Sequence, residues 1–300
     1  MTASPSLIVL DWGTTSLRAY LLDDRGHVLD TRSEPHGIMH VPDSNFSAVY
    51  DAITADWPAV ASIGAGMIGS ANGWVEVPYC AAPAGIDELV AGLTLVPNAP
   101  LNIVPGVATN GALPNVMRGE ETQIVGALDL HSGLASKSRL VLPGTHSKWV
   151  DVADGRITDI TSFMTGELFA ILRDHSILGR FASDPAPIDD AFARGVVAAK
   201  DSAEGISPLL FSARSLVLTQ RLAAGSSLEY LSGLLIGEEL RCGLMTGARP
   251  DALIGDATLC HRYDVAFSLF DIHDIPIIDG AAHAGLFSIA KRAGLTTAAQ

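Results

Sequence analysis

Along the chain the spacing of apolar and polar positions changes period repeatedly, and that alternation predicts an α/β protein. Leu7-Ile8-Val9-Leu10 is a continuous apolar run of strand length. Ser16 to Leu22 predicts a second strand and Gly26 to Thr31 a third, joined through the turn Asp23-Asp24-Arg25-Gly26. Phe46, Val49, Ile53 and Trp57 fall on one face of a helix that Pro58 is expected to close. Ala61 to Ala65 and Leu101 to Pro105 read as buried strands. Glu120 to His131 reads as a helix opening on two carboxylates, where the helix dipole favours negative charge.

The opening pattern then returns. Arg139 to Leu142, Ser147 to Val152 and Arg156 to Thr161 predict three strands, the last two joined by the turn Ala153-Asp154-Gly155. Between the first two strands of each set lies a Gly-Thr-x-Ser turn: Gly13-Thr14-Thr15-Ser16, then Gly144-Thr145-His146-Ser147. The shared strand context on both sides points to an internal duplication, and two domains are expected, over residues 1–114 and 115–300. Beyond residue 165 helical patterns dominate. Leu168, Ile171, Leu172, His175 and Leu178 make one amphipathic set, and Leu228 to Met245 a longer one. Ala252-Leu253-Ile254-Gly255 and Ile275 to Ile278 predict short strands, and Ala281 to Ala293 a closing helix. No linker or low-complexity stretch parts the halves, which are expected to pack around a shared cleft.

Composition narrows the class without naming the chemistry. The chain has 300 residues, with 19 Lys and Arg against 33 Asp and Glu, a net charge of −14. Phosphate backbones need a basic face, so this balance argues against a nucleic-acid partner. Apolar residues make up 48% and charged residues 17%, enough for a sizeable core. No stretch approaches the roughly 18–20 continuous apolar residues of a membrane helix, so no membrane partner is expected. The first ten residues lack a basic start before their apolar run, which predicts no secretion leader. Cys80, Cys242 and Cys260 are few, odd in number and without metal-ligand spacing, and the nine histidines show no zinc spacing. A reducing, cytoplasmic location is the expectation.

A Gly-Thr-Thr-Ser turn directly after a buried strand offers backbone N–H groups and short hydroxyls, which hold phosphate oxygens without a lysine. Asp11, at the end of that strand, is placed to order a Mg²⁺ ion through water, because Mg²⁺ keeps much of its hydration shell. An ordinary hydroxyl-capped hairpin would look the same in one copy. Two copies on matching three-strand units favour phosphate binding.

The motifs then become specific. Asp11-Trp12-Gly13-Thr14-Thr15-Ser16-Leu17-Arg18 resembles the first phosphate motif of the sugar kinase/actin/heat-shock-chaperone ATPase superfamily. Leu142-Pro143-Gly144-Thr145-His146-Ser147-Lys148-Trp149 resembles its second. Met117-Arg118-Gly119-Glu120-Glu121-Thr122-Gln123, Phe163-Met164-Thr165-Gly166-Glu167-Leu168, Gly66-Met67-Ile68-Gly69-Ser70 and Gly73-Trp74 together resemble the 2-dehydro-3-deoxygalactonokinases, from about residue 7 to about residue 290. The resemblance implies two ribonuclease-H-like domains, as in actin-like ATPases, around a nucleotide cleft. It implies ATP-dependent phosphorylation of 2-dehydro-3-deoxy-D-galactonate at the 6-hydroxyl, with Mg²⁺.

It also suggests roles. In glycerol-kinase-like relatives a Gly-Asp-Gln opens the helix before the second phosphate motif and its Asp is the base; Gly119-Glu120-Glu121 occupies the similar place, which makes Glu120 the candidate base and Glu121 the second. The extra methylene of Glu departs from that pattern. Arg118 either pairs with the substrate carboxylate or neutralises the two glutamates. Gly13, Thr14, Thr15, Ser16 and Arg18, with Gly144, Thr145, His146 and Lys148, are candidates for ATP phosphates, although strand alternation leaves open which way Arg18 and Lys148 point. Gly255 and Asp256 stand where the superfamily receives adenosine. Met67, Ser70, Asn72 and Trp74 are candidates for the sugar pocket, Trp74 equally a core residue, and Thr165 and Glu167 either touch the sugar or simply start a helix. The gluconate epimer, another sugar acid, or a non-catalytic nucleotide switch or sugar sensor of the same fold are the alternatives. Oligomeric state stays open, a homo-oligomer included.

Overall fold

The computed structural model describes residues 4–181, 190–245 and 247–296. The chain opens with strands β1 (Pro5–Trp12), β2 (Leu17–Asp23) and β3 (Val28–Glu34), then helix α1 (Phe46–Ile53) and β4 (Ala61–Ala65). Short elements follow: β5 (Cys80–Ala81), α2 (Ile86–Ala91), β6 (Thr94–Leu95), β7 (Leu101–Ile103), β8 (Val107–Ala108), β9 (Val116–Met117) and α3 (Glu120–Leu130). The first sheet has the order β3-β2-β1-β4-β7-β6, and β5, β8 and β9 form a small separate one. β1 runs antiparallel to β2 and parallel to β4, with Asp11 facing Arg18 on one side and Ala65 on the other. A central strand covered on both faces needs a continuous apolar run, and Leu7–Leu10 is buried throughout.

α1 is shorter than its apolar spacing suggests. Asn45 caps it, its side chain accepting the Ala48 N–H at 3.1 Å. It stops at Ile53, and Asp56 turns the chain at φ +64°. Trp57 therefore leaves the helix; its Nε1 donates to Asp30 at 2.8 Å, and the Arg32 guanidinium lies 4.3 Å over its ring.

The second set of strands is β10 (Lys137–Leu142), β11 (Ser147–Ala153) and β12 (Arg156–Phe163), followed by helices α4 (Thr165–His175), α5 (Asp190–Lys200), α6 (Ser212–Leu218) and α7 (Ser227–Met245). Then come β13 (Ala252–Ile254), α8 (Ala257–Ser268), β14 (Ile277–Ile278) and α9 (Ala281–Arg292). Leu178, expected in the same helix as Leu168, falls in a separate 3-10 segment, Ile177–Phe181. The second sheet has the order β12-β11-β10-β13-β14, with β13 parallel to β10 and to β14. Its first four strands repeat the β3-β2-β1-β4 arrangement, so the duplication read in the turns extends to the topology. No described helix is long and apolar enough to cross a membrane.

Two compact units result, but they are not divided at residue 114. One takes the described residues up to Ser138, Val150–Ile160 and those from Gly280 onward; the other takes Arg139–Trp149 and Thr161–Asp279. The reason is local to the first unit. α9 returns to pack on α3 so closely that a Cβ on Gly126 would stand 1.9 Å from the Ala281 carbonyl oxygen, and one on Gly285 1.8 Å from that of Thr122. Helix backbones touch there, and α3 and α9 belong with β1.

Candidate active site

In the first unit the chain leaves β1 through the Gly13–Ser16 turn, closed by the Gly13 N–H on the Ser16 carbonyl at 2.9 Å. Behind it, the N–H groups of Ile38 and Met39 donate to the carbonyls of Gly13 and Thr14 at 3.0 and 3.2 Å, and Trp12 Nε1 donates to the His36 carbonyl at 2.8 Å. The turn is braced from the protein side, and Thr14, Thr15 and Ser16 are left exposed.

Two glycines bring further groups to this strand end. Gly66, just after β4, has φ +97°, and a Cβ there would stand 2.7 Å from the Trp12 carbonyl oxygen. Gly119 has φ +111°, and its Cβ would stand 3.3 Å from the Gly66 Cα. Three backbones therefore stack without side chains between them, which seats the start of α3 beside Asp11. Burial raises the Asp11 pKa, Arg18 opposes the shift and the charge of Glu120 adds to it. Arg18, the cross-strand partner of Asp11, thus shares its electrostatic environment.

The two glutamates differ. Glu120 is half-buried and accepts the Arg118 N–H at 3.0 Å. Glu121 is fully buried, and both its oxygens lie against the Gly119 N–H at 2.7 and 2.8 Å. Burial, then the neighbouring Glu120 charge, pushes the Glu121 carboxyl up to about 8.

Arg118 lies 4.3 Å over the Tyr79 ring, and its Nη2 donates to the Val77 carbonyl at 2.7 Å. Its Nε and Nη1 are buried without a partner among the described residues. Nη1 lies 3.0 Å from where a Gly69 Cβ would be, and the next residue, Ser70, has a buried hydroxyl that also lacks a partner. Unpaired buried donors are costly, so these groups call for an acceptor. Met67 is half-buried in the same 3-10 turn and Asn72 is exposed just beyond it. Trp74 packs with Trp12, Phe46 and Tyr50, at ring distances of 6.3, 6.4 and 5.9 Å, in the aromatic part of the core.

In the second unit the Gly144–Ser147 turn exposes Thr145 and His146 and buries Ser147 and Lys148. Lys148 Nζ donates to the His146 carbonyl at 3.0 Å, so its charge supports the turn from inside the protein. The first turn of α4 lies on the same loop. A Cβ on Gly166 would stand 2.5 Å from the Gly144 carbonyl oxygen, the Glu167 N–H donates to the Thr145 carbonyl at 2.9 Å, and the Glu167 carboxylate contacts His146 Nε2. Thr165 is buried and donates to Glu239 at 2.5 Å. Gly255, at φ +142°, lies near Pro143, and Asp256 caps α8 by accepting the Leu259 N–H at 3.1 Å. Glu239, also bonded by Ser147, was invisible to sequence spacing; its only signal is an acid inside a leucine-rich helix.

Residues 11–289 match the family model described as 2-keto-3-deoxy-galactonokinase. The chain is 36% identical to the 2-dehydro-3-deoxygalactonokinase of Escherichia coli K12, over 94% of this chain and 97% of that one. A Rhizobium meliloti protein named as a probable 2-dehydro-3-deoxygalactonokinase is 34% identical over 97% of this chain and 98% of its own. A crystal structure from Sinorhizobium meliloti, provisionally assigned the same activity, superposes with a TM-score of 0.88 at 32% identity, over 95% of this chain and 98% of that one. At 12% identity, component A of the Acidaminococcus fermentans (R)-2-hydroxyglutaryl-CoA dehydratase shares the fold, with a TM-score of 0.52 over 97% of this chain and all of that one. Matching at this level over almost the whole length shows that the chain belongs to the 2-keto-3-deoxy-galactonokinase family of sugar-acid kinases.

Proposed function

We propose that the enzyme transfers the γ-phosphoryl group of ATP to the 6-hydroxyl of 2-dehydro-3-deoxy-D-galactonate. The observation that carries this reading is the placement of Arg118: a guanidinium with two buried, unpaired nitrogens, next in sequence to the acids that start α3. An anionic substrate supplies the missing acceptor, and a carboxylate matches the planar fork of Arg in two bonds. Ser70 would give a further bond to the same molecule.

Glu120 is the base. A hydroxyl attacks phosphorus only as its proton leaves, and a carboxylate within reach takes it. Glu121 is unsuited, because its carboxyl is buried and keeps its proton to about pH 8. In the transfer the O6–P bond forms and the bond from the γ-phosphorus to the β-phosphate bridging oxygen breaks. ADP leaves with that electron pair, and Glu120 holds the proton from O6. The exposed hydroxyls of Thr14, Thr15 and Ser16 bind phosphate oxygens. In the second unit the Gly144–Ser147 turn binds nucleotide phosphate, His146 donates to the γ-phosphate, and the Gly255–Asp256 turn receives the nucleoside.

The donor set also fits Mg²⁺. A single carboxylate, Asp11, at an exposed hydroxyl turn suits an ion that takes its other ligands from water and phosphate. Mg²⁺ bound there would neutralise charge on the phosphates as it develops.

The test is ADP release from MgATP by the purified protein, with 2-dehydro-3-deoxygalactonate and its gluconate epimer compared. Stimulation by the galactonate compound alone is expected. Equal stimulation by both would keep the kinase and widen its substrate range. ATP binding without stimulation by either would return the nucleotide-switch or sensor reading.

A further inference from the structure

Glu239 lies in the middle of α7, among Leu235, Ile236 and Leu240, and is 1% exposed. An apolar side chain of similar volume would suit those neighbours. Instead a carboxylate is buried, and four donors surround it. Ser147 Oγ and Trp149 Nε1 reach Oε1 at 2.6 and 2.9 Å; Thr165 Oγ1 and Tyr263 OH reach Oε2 at 2.5 and 2.6 Å. Four donors fill the four lone-pair sites of a carboxylate, the condition under which burying one is tolerated. Burial raises the Glu239 pKa and the four donors pull against that shift.

The origin of the donors shows what the carboxylate organises. Ser147 is the last residue of the second Gly-Thr-x-Ser turn, and Thr165 is the first residue of α4. The two residues after Thr165 already meet that turn: Gly166 approaches the Gly144 carbonyl, and Glu167 bonds Thr145 and contacts His146. One oxygen of Glu239 thus holds the turn, and the other holds the helix start that supports it.

We propose that Glu239 is a positioning residue for phosphate binding, fixing the Gly144–Ser147 turn and His146 by gripping Ser147 and Thr165 at once. This rests on the reading that the second turn binds nucleotide phosphate. Glu239 touches no substrate and acts through the turn. Its replacement by Gln keeps the volume but removes the charge, and the hydroxyls of Thr165 and Tyr263 must turn from donating to accepting to meet its NH₂, so the grip on one side of the clamp loosens.

The test is ATP binding by calorimetry and amide hydrogen exchange over residues 144–148, in the wild type, Glu239→Gln and Leu231→Ala. Leu231 is buried on the same helix, in a different core cluster, and its truncation destabilises α7 without touching the clamp. Glu239→Gln is expected to weaken ATP binding at least about tenfold, the order of losing one charge-assisted hydrogen bond, and to speed exchange at 144–148. Leu231→Ala is expected to lower the melting temperature and leave the ATP dissociation constant within about twofold, an isolated stability effect. If Glu239→Gln does not fold, Ser147→Ala and Thr165→Val each cut one arm and are expected to weaken binding singly. Wild-type affinity and exchange in Glu239→Gln, or in both single-arm variants, overturn the proposal while the kinase reading stands. A wild type that binds no ATP overturns that reading, and the role of Glu239 with it.

Discussion

Gly119 stacks on Gly66: a Cβ on the first would stand 3.3 Å from the Cα of the second, and Gly66 itself rests against the Trp12 carbonyl. This contact between two glycines with positive φ sets how near Glu120 comes to Asp11. Gly66→Ala places a methyl 2.7 Å from the Trp12 oxygen at φ +97°. Strain of about 1–3 kcal/mol is expected, together with a shift of α3 away from β1. Misplacement on the scale of an ångström costs on the order of 10²-fold in rate. We expect a kcat loss well beyond what the lowered melting temperature explains. A destabilised variant with wild-type kcat would show that the glycine contact serves the fold alone.

Glu120→Gln removes the proposed proton acceptor while keeping its shape. Loss of a general base typically costs about 10²–10⁴-fold, so kcat should fall by that order with little change in the ATP dissociation constant. Steady-state rates beside ATP-binding calorimetry separate the two. Turnover near wild type would move the role to another acceptor. Glu121 is the adjacent one, and the same measurement on Glu121→Gln would decide it.

The sequence showed the elements that local chemistry decides. Leu7–Leu10 is an apolar run and Ala61–Ala65 a run of small and apolar residues, both of which suit buried strands, and both lie centrally in the first sheet. The repeated turns were legible because each follows such a run. The division between units was not, because it depends on two glycine faces that meet only when the last helix folds back on α3. Lys148 was ambiguous for a similar reason: the residue after a turn can point either way, and packing turns it inward to the His146 carbonyl. Glu239 was hidden because an acid in a helix usually reads as a solvated face, and its four donors come from three distant segments.

Arg118→Lys keeps the charge and loses the fork. With Nε and Nη1 held in the protein and unpaired, the guanidinium is shaped for a two-bond contact that an ammonium cannot reproduce. A charged hydrogen bond is worth about 1.5–3 kcal/mol, so the KM for the sugar acid should rise about 10–150-fold, with the KM for ATP unchanged. An unchanged sugar KM with reduced stability would assign Arg118 to bracing Tyr79 and Val77 only.

The buried carboxyl of Glu121 predicts a pH dependence of stability with a definite sign. In the folded protein burial, then the charge of Glu120, raises its pKa to about 8, against 4.5 as the ordinary value. Between those values the unfolded chain has released the proton and the folded chain still binds it. Stability attributable to this group is therefore highest below pH 4.5, falls as pH rises toward 8 and is level above. The whole effect is on the order of a few kcal/mol, at about 1.4 kcal/mol for each pH unit of separation. Glu121→Gln keeps an acceptor for the Gly119 N–H and removes the titration. Denaturant unfolding of both proteins from pH 5 to pH 8.5 isolates the difference, since other titrating groups are common to the two. The variant is expected to gain on the wild type as pH rises to about 8 and to gain little beyond it. A difference that stays constant with pH would mean that Glu121 ionises in the folded protein at its ordinary value, which would return it as a candidate for the base.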